Sequence, residues 1–172
     1  MFIYLLIYII QYCMHVVPSY QQSKISTKLS PIQVAETLKE THYLVFKKYP
    51  SSTRLAMAWA QIALENGRGD NIYNHNLGNI GSGQKQLHYK VARSRFRSFY
   101  SSQEGGVAYW NLLKERCPIA LLSFNWGDIN STSEYLRRCG YYRAEIKHYQ
   151  NGMRSLYYVA LREVIPVMEN KK

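Results

Sequence analysis

A chain of 172 residues that is 47% hydrophobic and 19% charged is long enough to bury one core and too apolar to stay disordered, which fits a single globular domain. Its formal net charge of +11 falls entirely on residues 24–172, because residues 1–23 contain no Lys, Arg, Asp or Glu. So basic a body suits polyanions: nucleic acid, acidic lipid or the anionic polymers of a bacterial wall. Composition does not choose among them.

The first element is a hydrophobic leader over residues 1–23, continuously apolar from Met1 to Ile10 and nearly so to Val17. It lacks a basic start and an Ala-x-Ala site, although Val17 and Ser19 suit a permissive cleavage site. Three readings stand: a cleaved signal peptide, a membrane anchor through residues 2–17, or a buried helix. The first two export the body to the periplasm, the cell wall or the medium. Cys13 falls in the leader, which leaves Cys117 and Cys139 as a possible pair in the body. No Cys/His spacing suggests a metal and no organic cofactor is indicated, so the expectation is none of either.

In the body, Ser30, Pro31 and Gln33 form the start signal of a first helix, which Pro50 ends. Ser51, Ser52 or Thr53 can cap a second, in which Leu55, Ala56, Trp59, Ile62 and Ala63 recur as a core-facing stripe. Gly67 is placed to stop that helix in a left-handed conformation. Residues 66–82 are rich in Gly and Asn and read as loop. Residues 84–100 read as extended, with Arg93, Arg95 and Arg97 on one face, either a solvated edge or a basic binding strip. Ser101 to Glu104 form a second capping box, with Val107, Trp110 and Leu113 following and Lys114 and Arg116 near the helix end. A third box, Ser131 to Glu134, starts a short helix ended by Gly140. Ile146, Tyr149, Met153, Leu156, Ala160 and Val164 share one face of the last helix. The expected fold class is mainly α, with one small extended or β-hairpin region between the second and third helices. No repeat or second-domain linker interrupts residues 24–172.

Chemistry concentrates where the second helix ends in Glu65 and a glycine-rich loop follows at once. The negative end of the helix dipole opposes ionisation of Glu65, but only by about 0.3–1 kcal/mol. A general acid working at neutral pH needs a pKa of roughly 6–7. Desolvation must therefore supply most of the shift, by way of Trp59, Ile62 or the following loop. On this segment alone, a surface glutamate at a frayed helix end is the favoured reading.

The segment Ala63-Leu64-Glu65-Asn66-Gly67-Arg68-Gly69, followed by Asn74-His75-Asn76-Leu77-Gly78-Asn79-Ile80, resembles the glucosaminidase group of peptidoglycan hydrolases. In that group a helix ends Ala-Leu-Glu-x-Gly-x-Gly and an Asn-rich loop ends Asn-x-Gly-x-Ile. The run from Phe96 to Gly105 is similar to the group's Phe-x-x-(Tyr/Phe)-x-Ser-x-x-Glu approach to its next helix. Leu136, Gly140-Tyr141-Tyr142, Ala144 and Tyr149 are similar to its Leu…Gly-Tyr-(Tyr/Phe)-Thr-Ala…Tyr. Each motif is short; four in order, over roughly residues 53–157, are considerably more specific.

The resemblance implies a lysozyme-like helical domain in which Glu65 faces a cleft and protonates the glycosidic oxygen between amino sugars. It implies that Tyr142 stands opposite, its hydroxyl steadying positive charge or orienting water, with Tyr141 beside it, unless the pair simply packs after the glycine. Asn76 and Asn79 would offer amides to N-acetyl groups, unless the loop bonds to itself. Arg93 and Arg95 would border the cleft. The implied activity is hydrolysis of β-1,4 links in the glycan strands of peptidoglycan, N-acetylglucosaminidase type. Lytic transglycosylation by the same Glu65 and non-catalytic binding to the wall are the alternatives; nucleic acid is not expected.

Two features depart from the pattern. Arg143 stands where the group has Thr, and no Asp or Glu occurs between Asp70 and Glu104. Glycosidases generally use two carboxylates. Asp70 can approach Glu65 and Asp128 reads as a helix cap, so the expectation is a domain that works with one.

Overall fold

The computed structural model describes residues 25–81 and 96–170. The leader, and Arg93 and Arg95, lie outside the described residues. Within them the chain is mainly helical, and no helix is long and apolar enough to cross a membrane.

Helix α1 (Pro31–Phe46) starts on a complete capping box. Ser30 Oγ accepts from Gln33 N at 3.2 Å and Gln33 Oε1 accepts from Ser30 N at 2.8 Å. It closes on Lys47 in a left-handed conformation, three residues ahead of Pro50. Helix α2 (Ser52–Asn66) is capped by Ser51 and ends on Gly67 at φ 59°, the expected left-handed stop. The expected stripe is an underestimate: every residue from Arg54 to Ala63 is buried. Helix α2 is the central helix, enclosed by α1 and by the C-terminal helices, and its alanines at 56, 58, 60 and 63 let those neighbours approach on all sides.

Helix α3 (Ser102–Arg116) is capped by Ser101, which accepts from Glu104 N, while the Glu104 carboxylate reaches past the cap to Tyr100 N at 3.0 Å. Trp110 binds it to α1 by donating from Nε1 to Leu38 O at 2.9 Å. A short helix not expected from the sequence follows, α4 (Pro118–Ser123), with its proline in the first turn. Helix α5 (Ile129–Arg138) begins at Asp128, three residues before the expected Ser131 box. Asp128 takes the cap, accepting from Ser131 N at 3.1 Å, and Thr132 and Ser133 are consequently buried inside the helix. A disulfide joins Cys117, at the start of α4, to Cys139, at the end of α5.

Helix α6 (Ile146–Val159) continues through a wide turn (Ala160–Val164) into α7 (Ile165–Glu169). On its expected face Tyr149, Met153, Ala160 and Val164 are buried, and Ile146 and Leu156 are half-buried. Among the described residues two isolated antiparallel bridges occur, Ser26 with Tyr73 and Gly81 with Phe96, and no strand forms. Residues 84–95 of the expected extended region lie outside the described residues.

Candidate active site

Glu65 sits in the last turn of α2, where Gly67 ends the helix and the chain doubles back over residues 70–81. That loop is held by its own polar side chains. Asn66, fully buried, donates its amide to Leu77 O. Asn74 accepts from Ile25 N at 2.6 Å and donates to Ser98 Oγ at 2.8 Å. Asn74, His75 and Asn79 all have positive φ, between 47° and 57°, a conformation that Asn and His tolerate better than bulkier side chains. The asparagine content of the loop is therefore mostly structural.

Asn76 belongs to this structural set, which corrects its expected contact with substrate. It is 2% exposed, donates to Ile80 O and Arg97 O at 3.0 Å each, and accepts from Ile80 N at 2.8 Å. Asn79 is different. Its Nδ2 donates to the backbone carbonyl of Glu65 at 3.0 Å, and the residue lines the cleft beside the carboxyl. Gly78 permits a close approach: a Cβ there would lie 2.8 Å from the Tyr109 ring and 3.1 Å from the Tyr141 hydroxyl, which donates to Gly78 O at 2.8 Å.

The opposite wall comes from the turn after α5 and the first turn of α6. Gly140, at φ 76°, ends the helix, and Tyr141, Tyr142, Arg143 and Ala144 lead into His148 and Tyr149. The hydroxyl that meets the acid is that of Tyr149, donating to Glu65 Oε1 at 3.5 Å. The hydroxyl of Tyr142 turns the other way, to Ser133 O at 2.9 Å, while its ring stacks on Tyr149 with centroids 3.6 Å apart and planes 4° from parallel. This corrects the expected role of Tyr142: it lines the cleft and braces Tyr149, but its hydroxyl is not opposite Glu65.

Glu65, Asn79, Phe96, Tyr142, Arg143 and His148 face a cleft of about 460 Å³. A recess of about 260 Å³ adjoins it across Gly78, Asn79, Phe96 and Tyr141, and includes Arg116. Burial pushes the Glu65 carboxyl above the ordinary carboxylate range, and the Tyr149 hydrogen bond opposes that shift without cancelling it. Of the expected sources of a dry wall, the following loop lines the cleft through Gly78 and Asn79, while Trp59 and Ile62 do not; phenols make up much of the rest. Burial drives Tyr109, Tyr141 and Tyr149 well above the usual phenol range, and the Glu65 charge adds to each shift. Trp59 donates instead to Pro31 O at 2.9 Å. Gln61, one turn before Glu65, accepts from the Tyr109 hydroxyl at 2.6 Å. Its buried amide nitrogen has no well-formed hydrogen bond but lies near enough to Tyr149 to favour that phenol's ionised form.

Neither of the other carboxylates considered lines the cleft. Asp70 is exposed after the turn that follows α2, and Asp128 is occupied as the cap of α5, whose Ser131 contacts hold its carboxyl below the ordinary range. All 11 Asp and Glu residues lie in the described ranges, and Glu65 alone among them lines the cleft or its recess. A larger hollow of about 580 Å³ along α3 is lined by Glu104 and Glu115 with Arg97 and Arg116. Glu104 is spent there on the start of α3, so the half-buried Glu65 carboxyl with its raised pKa makes the Glu65 cleft the better site. Among the described residues no three His, Cys, Asp or Glu side chains converge as metal ligands.

Gln61, Tyr109 and His148 carry no role in the sequence reading, and Tyr149 enters it only as a core position and as the last tyrosine of the family-like pattern. Gln61 had a signal, four residues before Glu65 and so on the same helix face. Tyr149 was visible as a core position, and only the fold shows that its hydroxyl reaches the acid. No protein-family model and no curated protein matches the chain.

Proposed function

We propose that this protein is a glycoside hydrolase that cuts β-1,4 links in the glycan strands of bacterial peptidoglycan, in the manner of an N-acetylglucosaminidase with a lysozyme-like helical domain. One observation carries the reading: a half-buried carboxyl at a helix end faces an open cleft, and desolvation raises its pKa. A neutral Glu65 can hand its proton to the glycosidic oxygen, so the leaving sugar departs as an alcohol. Asn79 anchors the carbonyl of the same residue, and the buried phenols of Tyr141 and Tyr149 line the cleft beside the acid. Phe96, 45% exposed, presents an aromatic ring to the cleft, a flat apolar surface suited to packing against a sugar ring.

With no second carboxylate on the cleft, Glu65 acts twice. After giving up its proton it accepts one from the attacking group. If that group is water, the product is a reducing sugar. If it is a hydroxyl of the cleaved sugar itself, an anhydro ring closes, as in lytic transglycosylation. The lone carboxylate favours keeping this second reading. The strongly basic body supports retention on anionic wall polymers. The leader supports export, with membrane tethering through residues 2–17 if it is retained.

Mass spectrometry of muropeptides after incubating the protein with purified sacculi tests the proposal. New reducing ends support hydrolysis and anhydro ends support transglycosylation. Retention on sacculi with no released fragment would replace both with a wall-binding role.

A further inference from the structure

The cleft is lopsided in charge. Arg143 lines it from one wall, and Arg116 lines the adjoining recess. Against them stands only Glu65, which is uncharged when it is ready to act as an acid. Arg143 is exposed and follows Tyr142, whose hydroxyl is tied to Ser133 O, so the backbone that carries the guanidinium is anchored. The ion pairs found among the described residues, Arg138 with Glu134 and Arg162 with Glu163, lie on α5 and after α6, and neither involves Arg143. Glu145, two residues on, is exposed and does not line the cleft. A guanidinium with no protein carboxylate to pair with, on the wall of a cleft, has the planar fork that suits a carboxylate brought by a ligand.

We infer that Arg143 is a specificity residue: its guanidinium pairs with a carboxylate carried by the glycan beside the scissile bond, so the cleft prefers an acidic amino-sugar strand to a neutral one. The inference rests on the reading of this cleft as a glycan site and names the class of strand it takes. The carboxylate can belong to the ether side chain of the sugar or to a peptide attached there, and the chemistry of the contact is the same.

The test compares three substrates: neutral N-acetylglucosamine oligomers, peptide-free strands that alternate N-acetylglucosamine with N-acetylmuramic acid, and the same strands with their peptides. The acidic strands are also assayed after amidation of their carboxyls. The wild type is expected to prefer at least one acidic strand by roughly tenfold or more in kcat/KM, the scale of a hydrogen bond to a charged group. Amidation and added salt should both erode that preference. Arg143→Gln should lose the preference, its kcat/KM falling more on the acidic strands than on the neutral oligomer, and Arg143→Lys should restore part of it. The arm that responds, peptide-free or peptide-bearing, identifies the source of the carboxylate. Equal wild-type rates on neutral, acidic and amidated strands overturn the inference, as does an equal loss on all substrates in Arg143→Gln. Binding of the same ligands to Glu65→Gln separates this from the proposed activity. Selective binding of acidic strands without cleavage by the wild type sinks the hydrolase reading and keeps the Arg143 site.

Discussion

Tyr149, 84 positions further along the chain, donates its hydroxyl to Glu65 Oε1 at 3.5 Å. This contact favours the ionised carboxylate, while the burial that creates it favours the neutral acid, and burial prevails. The site therefore holds its one carboxyl between two opposed influences, and each can be removed separately.

Replacing Glu65 by Gln removes the proton donor and should lower glycan cleavage by about 10²–10⁴-fold. The same substitution should stabilise the fold at neutral pH. A carboxyl whose folded pKa is raised contributes stability below its unfolded value of 4.5 and loses it as pH rises through the folded pKa. Thermal melts should show Glu65→Gln above the wild type at pH 7, with the gap closing below pH 4.5. Near-normal turnover in the folded variant would remove Glu65 from the mechanism.

Tyr149→Phe deletes the bond that lowers the Glu65 pKa, so that pKa should rise further. Activity that depends on a protonated acid should then persist to higher pH, visible as an upward move of the alkaline limb of the pH–rate profile. Tyr142→Phe should leave that limb in place and reduce stability by about 1 kcal/mol, through loss of the bond to Ser133 O. A shifted limb in Tyr142→Phe and none in Tyr149→Phe would reverse these assignments.

Asp70→Asn and Asp128→Asn should each keep activity within about tenfold, a change of about 1.4 kcal/mol in barrier. Asn also caps helices well, so Asp128→Asn should fold normally. A loss in either variant comparable to that of Glu65→Gln, with the circular dichroism spectrum unchanged, restores a two-carboxylate mechanism.

His42 is fully buried against Phe46 and Trp110, with Nδ1 bonded to Lys48 O at 2.7 Å and no partner at Nε2. Burial, assisted by the nearby Arg54 charge, holds its pKa down to about 4 from an ordinary 6.5. The unfolded chain then binds the proton more readily than the folded one. Stability should be complete above pH 6.5 and fall as pH drops towards 4. Denaturant titrations across that range should show a shallower fall in His42→Gln; identical slopes would clear His42 of the effect.

Reduction of the Cys117–Cys139 disulfide opens a loop of sequence separation 22 and should cost roughly 3 kcal/mol of stability. It should leave the Glu65 cleft active at temperatures where the reduced protein is still folded. Equal melting temperatures with and without reductant would show that the crosslink contributes nothing.

Helix boundaries were legible in the chain because they depend on neighbours three or four residues apart. Ser30 with Gln33, Ser101 with Glu104 and Gly67 after Asn66 act within one turn. Glu65 was legible for the same reason, as a carboxyl at a helix end ahead of a glycine loop. Asp128 displaced the Ser131 box because two overlapping local signals compete, and burial of Thr132 and Ser133 decided between them. The rest depended on contacts between residues far apart in sequence. The burial of every residue from Arg54 to Ala63 in α2, the tyrosine hydroxyl that reaches Glu65, and the bond from Asn76 to Arg97 O all belong to this class. So does the pairing of the two cysteines, which needs α4 and α5 to be packed first. A carboxyl's place at a helix end is a local property of the chain. Its pKa is a property of everything folded around it, because desolvation depends on which distant side chains exclude the water.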